Sequence, residues 1–429
     1  MSRKPFQLFA VTAIASALSM PAFASARLTY TIGDNSVPVA WSESSFPIKY
    51  EVDRRVIASL PNATNVLDRA FATWSTAADT SIGFESLGIG DNLVAGENDH
   101  LNTITLADGL FKDQYAIAMT TNWYDTTGRL TQADIQIDSS LVNSNYNMQQ
   151  AITHEIGHLL GLDHSAVLSS VMYPYVPHGN DVPSLDSDDR IAIANLYPKP
   201  GQTLVGGVLR GRVQGDNGGV FAAQVVAMND KGEPVATGLS NKTGDFTLQA
   251  LPPGNYRIYA EPLDGPVDAR NMAGIWRLSN TTTFPTHFCD SGTIQVESGK
   301  VYGNLLVNTS GVPPQLNPTW IGVTTPNSDN FNMTSIAQTV RPGQSINIAI
   351  AGNGIVSGMT TFNVLNPGFR RMSDYRYFGN YVYATFNIAP DAPGGSAVIL
   401  ASNGANQEAT LTGALRVQAP PSRQRSARH

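Results

Sequence analysis

Eleven residues, His154-Glu155-Ile156-Gly157-His158-Leu159-Leu160-Gly161-Leu162-Asp163-His164, constrain this chain more tightly than any other stretch. Residues four apart on a helix share a face, so His154 and His158 present two imidazoles to one point. The helix should stop at Gly161, because glycine enters the left-handed conformation without steric cost. The chain then doubles back and delivers His164 to the same point. The helix start is marked as well. Asn147 can cap it, and Gln150, three positions on, completes a capping-box arrangement. A helix that merely carried surface histidines would leave the capped start and the terminal glycine unexplained.

Three neutral imidazoles leave one position open on a tetrahedral zinc ion, which a catalytic site requires and a structural site does not. Glu155 lies too close in sequence to the first ligand to chelate comfortably with it. It can instead hydrogen-bond a water on the ion. Zinc lowers the pKa of such a water to about 7 and polarises a substrate carbonyl. Glu155 would take the proton and pass it to a leaving amine. Imidazoles suit other divalent ions too, and zinc is the default from geometry and availability. The expectation is one catalytic zinc on His154, His158 and His164, with Glu155 as general base. The substrate would be a protein or peptide cut at internal bonds.

Around this motif the chain divides into three zones. In residues 28–198, the pattern predicts strands at 48–52, 104–106, 116–120 and 135–137. It predicts an amphipathic helix over 64–78, with Val66, Leu67, Ala70, Phe71 and Trp74 on one face, and further helices over 148–160 and 187–196. Asp188 and Asp189 fall in the favourable first turn of the last helix. Tyr197-Pro198-Lys199-Pro200-Gly201 then breaks the pattern and reads as a domain boundary. Residues 204–307 and 313–418 are strand-like throughout. Their turn signals include Lys231-Gly232, Thr243-Gly244-Asp245, Pro252-Pro253-Gly254, Gly352-Asn353-Gly354 and Pro393-Gly394-Gly395. Both read as small all-β sandwiches. The predicted class is therefore multidomain: an α/β (α+β) unit followed by two β-sandwiches, with length enough for two or three cores.

The N-terminus reads as an export signal. Arg3 and Lys4 precede an apolar run at 6–18, and Ala22-Phe23-Ala24 offers small residues for cleavage after Ala24. A 1–24 leader implies a secreted or periplasmic protein. No later apolar stretch approaches membrane length. Charged residues are only 14% and the net charge is −7, so the basic face of a nucleic-acid binder is missing. The basic end, 419–429, reads as a frayed tail. Cys289 is the lone cysteine and reads as an inert core residue rather than a reactive thiol.

At its histidine motif the chain resembles a metzincin metallopeptidase, and within that clan the matrixins. Ser165 after the third histidine and the segment Ser170-Val171-Met172-Tyr173-Pro174-Tyr175 carry the closer likeness. The resemblance implies that Met172 forms a Met-turn floor beneath the zinc. It implies that Pro174 and Tyr175 line the pocket for the substrate residue after the scissile bond. Residues 185–197 resemble the closing helix of that fold, and 46–74 its opening strand and helix. Matrixins usually carry a structural zinc on further histidines. Here only His100 lies upstream of the motif, and Gln136 stands where the family often has a histidine, so no structural zinc is expected. Asp134 matches a position that helps bind Ca2+ in the family. A calcium site and a satisfied loop carboxylate are its two readings, the second preferred. No latency segment with a zinc-blocking cysteine is present. The second zone is similar to carboxypeptidase regulatory-like domains, and the third resembles an immunoglobulin-like accessory domain. The signal and this domain company suggest a bacterial matrixin-like protein.

The main rival is a surface- or polysaccharide-binding protein, attached to a cell surface or extracellular matrix through its β domains, with hydrolysis secondary or absent. A poverty of surface aromatic clusters argues mildly against carbohydrate. A serralysin-like protease would need calcium-binding Gly-Asp repeats, which are missing. A zinc kept for folding alone leaves Glu155 and the open fourth position unexplained.

Overall fold

Hydrophobic alternation builds the central sheet of the first region. The computed structural model describes residues 27–419 except 33–34, 78–79, 110–115, 180, 200–205, 279–282, 312–313 and 405–406. The expected leader and all of the expected tail but Ala419 lie outside the described residues. Strands β1 (Thr29–Ile32) and β2 (Asn35–Pro38) pair as a hairpin. Next come β3 (Ile48–Asp53), α1 (Arg54–Ser59), α2 (Ala63–Ser75), β4 (Phe84–Gly90), β5 (Thr103–Ala107), β6 (Ala118–Tyr124), β7 (Leu130–Asp138), α3 (Met148–Leu159) and α4 (Ser187–Leu196). The five strands pair in the order β4-β3-β5-β7-β6. All pairs are parallel except β6 with β7. In β3, Ile48, Tyr50 and Val52 are buried while Lys49 is exposed, the alternation of a half-covered strand.

Helix α2 ends at Ser75, short of the predicted 78, because the chain leaves the helical conformation at Thr76. Its buried stripe of Leu67, Ala70, Phe71 and Trp74 lies against α3 and the sheet. The Phe71 ring stacks on Tyr50 at 4.0 Å, and the Trp74 indole N–H donates to the Thr153 carbonyl of α3 at 2.8 Å. These contacts fix the helix that carries two of the histidines. Strand β6 is an edge of the sheet and runs beside α3. Its Thr120 hydroxyl donates to the Glu155 carbonyl at 3.0 Å, and its Asn122 amide to the His158 carbonyl at 3.2 Å.

The remainder is β-rich. It comprises β8 (Gly207–Gly215), β9 (Gly218–Gly219), β10 (Gln224–Asn229), β11 (Pro234–Leu239), β12 (Asp245–Leu251), β13 (Gly254–Glu261), β14 (His287–Val296) and β15 (Val301–Asn308). After these come β16 (Asn317–Thr324), β17 (Gln338–Val340), β18 (Ser345–Asn353), β19 (Thr361–Val364), β20 (Phe369–Arg371), β21 (Arg376–Phe378), β22 (Tyr381–Ile388), β23 (Gly395–Ser402) and β24 (Glu408–Val417). The first set pairs as β11-β10-β13-β14 and β12-β8-β15, with β9 on β8. The second pairs as β16-β18-β22-β20, with β21 on β22, and as β17-β24-β23-β19. Turns fall where the sequence marks them. At 241–245 the Asn241 side chain accepts from the backbone N–H groups of Thr243 and Asp245, both at 2.9 Å.

One apolar cluster is confined to 39–197, but the others cross the expected boundaries. Ile191 of α4 joins the core of 209–307. Leu168 and Tyr173 join a core that also takes Leu239, Leu263, Met272 and Trp276 and the apolar faces of 316–417. Cys289 is buried in the core of 209–307. Among the described residues no helix is long and apolar enough to cross a membrane.

Candidate metal centre

The site is assembled from a capped helix, a glycine reversal and a return strand of chain. Asn147 caps α3 by accepting from the Gln150 N–H at 3.0 Å. The reciprocal bond from the Gln150 side chain is absent, so only half of the expected capping box forms. Gly161 has φ +91°, and a Cβ there would lie 2.3 Å from the Val39 carbonyl oxygen. Only glycine meets both demands. Beyond it the chain brings His164 back over the helix.

The ligand atoms of His154, His158 and His164 all lie within 4.8 Å of one another. Each ring is held by its Nδ1. His154 Nδ1 lies 2.8 Å from the Val171 carbonyl, His158 Nδ1 lies 2.8 Å from the Leu162 carbonyl, and His164 Nδ1 bonds the Asn271 carbonyl. A carbonyl only accepts, so each Nδ1 carries the proton and each Nε2 keeps its lone pair. The His158 and His164 Nε2 atoms are 3.3 Å apart. Burial, with His164 nearby, pushes His154 down to about 3. Burial and the two neighbouring imidazoles push His158 down as well. Three neutral rings with converging lone pairs fit a divalent cation of zinc's ligand preference.

Glu155 is buried, and its Oε2 accepts from the Thr120 hydroxyl at 2.7 Å. Burial raises its pKa to about 7, against the Thr120 hydrogen bond. Met172 is buried under α3. A Cβ on Gly157 would sit 2.2 Å from the Met172 sulfur and 2.9 Å from the Trp74 ring, so the glycine is what lets the methionine approach. The turn bearing Met172 hangs from Asp189 of α4, whose carboxylate accepts from the N–H groups of Val171 at 2.8 Å and Met172 at 3.2 Å. Tyr175 is exposed, with its ring 5.6 Å from that of Tyr173, and Pro174 is half-buried. A cavity of about 100 Å³ beside Tyr175 is lined by Asn147, Gln150, Tyr173, Pro177 and Ile336, and none of the three histidines lines it.

Asp134 accepts from Gly96 N–H at 2.9 Å and from Thr103 N–H and hydroxyl, both at 3.0 Å. It is a satisfied carboxylate, but it sits within β7 rather than in the expected loop, and nothing here supports calcium. The acids of α4 are the residues that sequence reasoning undervalued. Asp188 and Asp189 do fall in the first turn, and they and the N-cap Asp186 are buried, which the sequence did not indicate. Asp188 accepts from the Ser165 hydroxyl at 2.7 Å and from Thr237 N–H at 2.8 Å. Asn271 and Ala273 were missed altogether, since nothing in their local sequence points to histidines more than a hundred residues away.

With this geometry in hand, comparison with known proteins is decisive for the first region. Residues 40–198 match the matrixin peptidase family. That segment is similar to the matrixins. The resemblance read from the motif is thereby borne out, and matrixins as a family are zinc-dependent metallopeptidases. Similar proteins include metalloendoproteinase 2-MMP of Arabidopsis thaliana, 32% identical over 31% of this chain and 36% of the relative. Karilysin of Tannerella forsythia is 43% identical over 14% of this chain and 12% of the relative. Matrilysin of Rattus norvegicus is 49% identical over 13% and 22%. The chain spans about a third or less of the length of these curated relatives. The likeness is that of one matrixin segment.

Proposed function

We propose that the chain is an exported zinc endopeptidase, with residues 28–198 as its catalytic domain. Two β-sandwiches follow, at 204–307 (carboxypeptidase regulatory-like) and 313–418 (immunoglobulin-like). The carrying observation is the convergence of three imidazoles, each with Nδ1 committed to a carbonyl, beside the buried Glu155. His154, His158 and His164 would hold the ion through Nε2. When bound, zinc supplies Lewis acidity that acidifies water and polarises a peptide carbonyl. Glu155 moves the proton, with the Thr120 hydroxyl at 2.7 Å orienting its carboxylate. Strand β6, unpaired on its outer side among the described residues, gives an extended peptide a backbone to pair with alongside α3. Tyr175 and Pro174 favour an apolar residue after the cleaved bond. The test is to incubate the purified chain with a mixed peptide library, with and without a chelator, and to map cut sites by mass spectrometry. Internal cuts lost on chelation and restored by zinc support the reading. Cleavage that ignores the chelator, or none with zinc present, removes it.

A second reading, attachment of the C-terminal region to a polysaccharide, is favoured by one observation that corrects the sequence expectation. Aromatic side chains do cluster on that region's surface. Trp320, Ala351, Tyr381 and Phe378 form one row across four strands, by strand register. Trp320 and Phe378 are 47% and 70% exposed. Exposed rings in one row offer flat apolar faces of the kind on which sugar rings stack. Pull-down of the parent and of Trp320→Ala/Phe378→Ala on insoluble polysaccharides tests it. Equal retention of both chains would remove this role.

A further inference from the structure

His164 differs from the other two ligands in where its support comes from. His158 is braced by the Leu162 carbonyl one turn away, and His154 by Val171 in the neighbouring turn. His164 lies past the glycine reversal, outside the helix that carries the other two. Its ring partner is the Asn271 carbonyl, in the β-rich region. A second link runs through Asp163. One of its oxygens accepts from the His164 N–H at 2.8 Å, and the other accepts from the Ala273 N–H at 2.8 Å. Asp163 is itself buried.

We infer that the turn at 268–273 is a positioning part of the metal centre, so that the β-rich region completes the site that the matrixin segment begins. This rests on the zinc reading above. The turn is built to hold its shape. Asp268 accepts from the Arg270 N–H at 2.8 Å, and the Asp268 N–H donates to the Asn271 side chain at 3.0 Å, a reciprocal cap. Met272 is buried and faces a small cavity shared with His164, Ser165 and Leu239. Gly274 seats the turn against β1: it has φ +62°, and a Cβ there would lie 2.5 Å from the Thr29 hydroxyl. Without the turn, the His164 ring would keep no Nδ1 acceptor and would be free to rotate and to change tautomer. A ligand that must be ordered on binding weakens the site by the entropy lost. Removal of such outer support typically lowers metal affinity about ten- to a hundredfold.

The experiment uses the full chain. Ala273→Pro removes the N–H that Asp163 accepts, whereas Ala273→Gly keeps it. Asp268→Ala/Asn271→Ala undoes the cap of the turn through its side chains. Zinc affinity is read by competition with a chromophoric chelator, coordination by the visible spectrum of the cobalt(II) form, and folding by circular dichroism of the metal-free chain. The inference expects Ala273→Pro and the double variant to bind zinc about ten- to a hundredfold more weakly, with an altered cobalt spectrum and unchanged metal-free folding. Ala273→Gly should match the parent. Parent-like affinity and spectrum in the two perturbed variants would overturn it, and should Ala273→Pro fail to fold, the double variant decides. A parent that binds no zinc would instead sink the peptidase reading, which separates the two failures.

Discussion

Residues 147–164 and residues 206–419 both reach the same cluster of imidazoles, but they do so in opposite ways. In the first stretch the spacing of neighbours along one helix sets the geometry, and a single glycine turns the chain back. In the second, isolated groups arrive from distant turns and strands. Asn271 and Ala273 reach the His164 loop, Thr237 reaches Asp188, Ser396 reaches Asp186 at 2.9 Å, and the Tyr173 hydroxyl donates to the Ser335 carbonyl at 2.6 Å. Chemistry written in local spacing can be read from a sequence. A junction written in single contacts cannot, because each contact depends on the placement of the whole β framework. The difference also separates two kinds of failure, loss of the reaction and loss of the frame that aims it.

The sharpest way to break the comparison is Glu155→Ala. If the local motif carries the reaction, this variant should lose at least about a thousandfold in cleavage of a quenched-fluorescence peptide. Zinc content by atomic absorption should stay at the parent level, because no ligand is touched. Retained cleavage would take Glu155 out of the chemistry.

Gly161→Ala tests whether the reversal, rather than the β-rich region, sets the path to His164. The left-handed φ and the Val39 oxygen 2.3 Å from the new Cβ combine to cost about 4 kcal/mol. Thermal melting and zinc affinity should both drop. A variant that melts like the parent would mean that the frame beyond the helix can impose the turn on any residue.

The same contrast explains what the sequence disclosed. The three histidines, Glu155, the capping Asn147 and the bounds of α4 were legible, because helical periodicity and caps are local. The two missing halves of the picture are both non-local. Asp188 and Asp189 look like ordinary first-turn acids, and only their burial makes them hydrogen-bond hubs, Asp188 for Ser165 and Thr237 and Asp189 for the turn at 170–172. Trp320 and Phe378 lie 58 positions apart and share a row only through the registers of three strand pairs.

A smaller effect probes the junction inside the β-rich half. Glu261 of β13 accepts from the Gln224 side chain at 2.7 Å and from the Thr412 hydroxyl at 2.7 Å, tying β13 to β24. Burial raises its pKa from 4.5 to about 7, against the hydrogen bonds from Thr410, Thr412 and Gln224. The folded chain therefore holds a proton that the unfolded chain releases at lower pH. The stability tied to that proton is complete below about pH 4.5 and disappears as pH rises through about 7, with an upper bound on the order of 3 kcal/mol. Glu261→Gln keeps the shape and cannot ionise. Melting temperatures measured from pH 5 to pH 8 should fall less steeply for this variant than for the parent. Parallel curves would show that Glu261 ionises as freely in the fold as in water.

The smallest effect expected is that of salt, and it separates two ways of holding regions together. The ion pairs Lys49–Glu85, Arg54–Asp91, Arg55–Asp108 and Arg129–Asp125 each join residues of the first region. Arg212–Asp245 and Arg270–Asp268 each join residues of the second. All six have an exposed cationic partner, which weakens and screens them. Among the described residues, several bonds across the junction join buried carboxylates to hydroxyl and N–H donors instead, as with Asp186 accepting from Ser396 and Asp188 from Thr237. Screening acts over water between charges, and these bonds have neither an opposite charge nor water between them. Raising sodium chloride from about 0.1 M to about 1 M should therefore shift melting by only a few degrees and keep a single transition. A second transition at high salt would mean that long-range charge attraction, and not this set of buried hydrogen bonds, keeps the β-rich region seated on the histidine site.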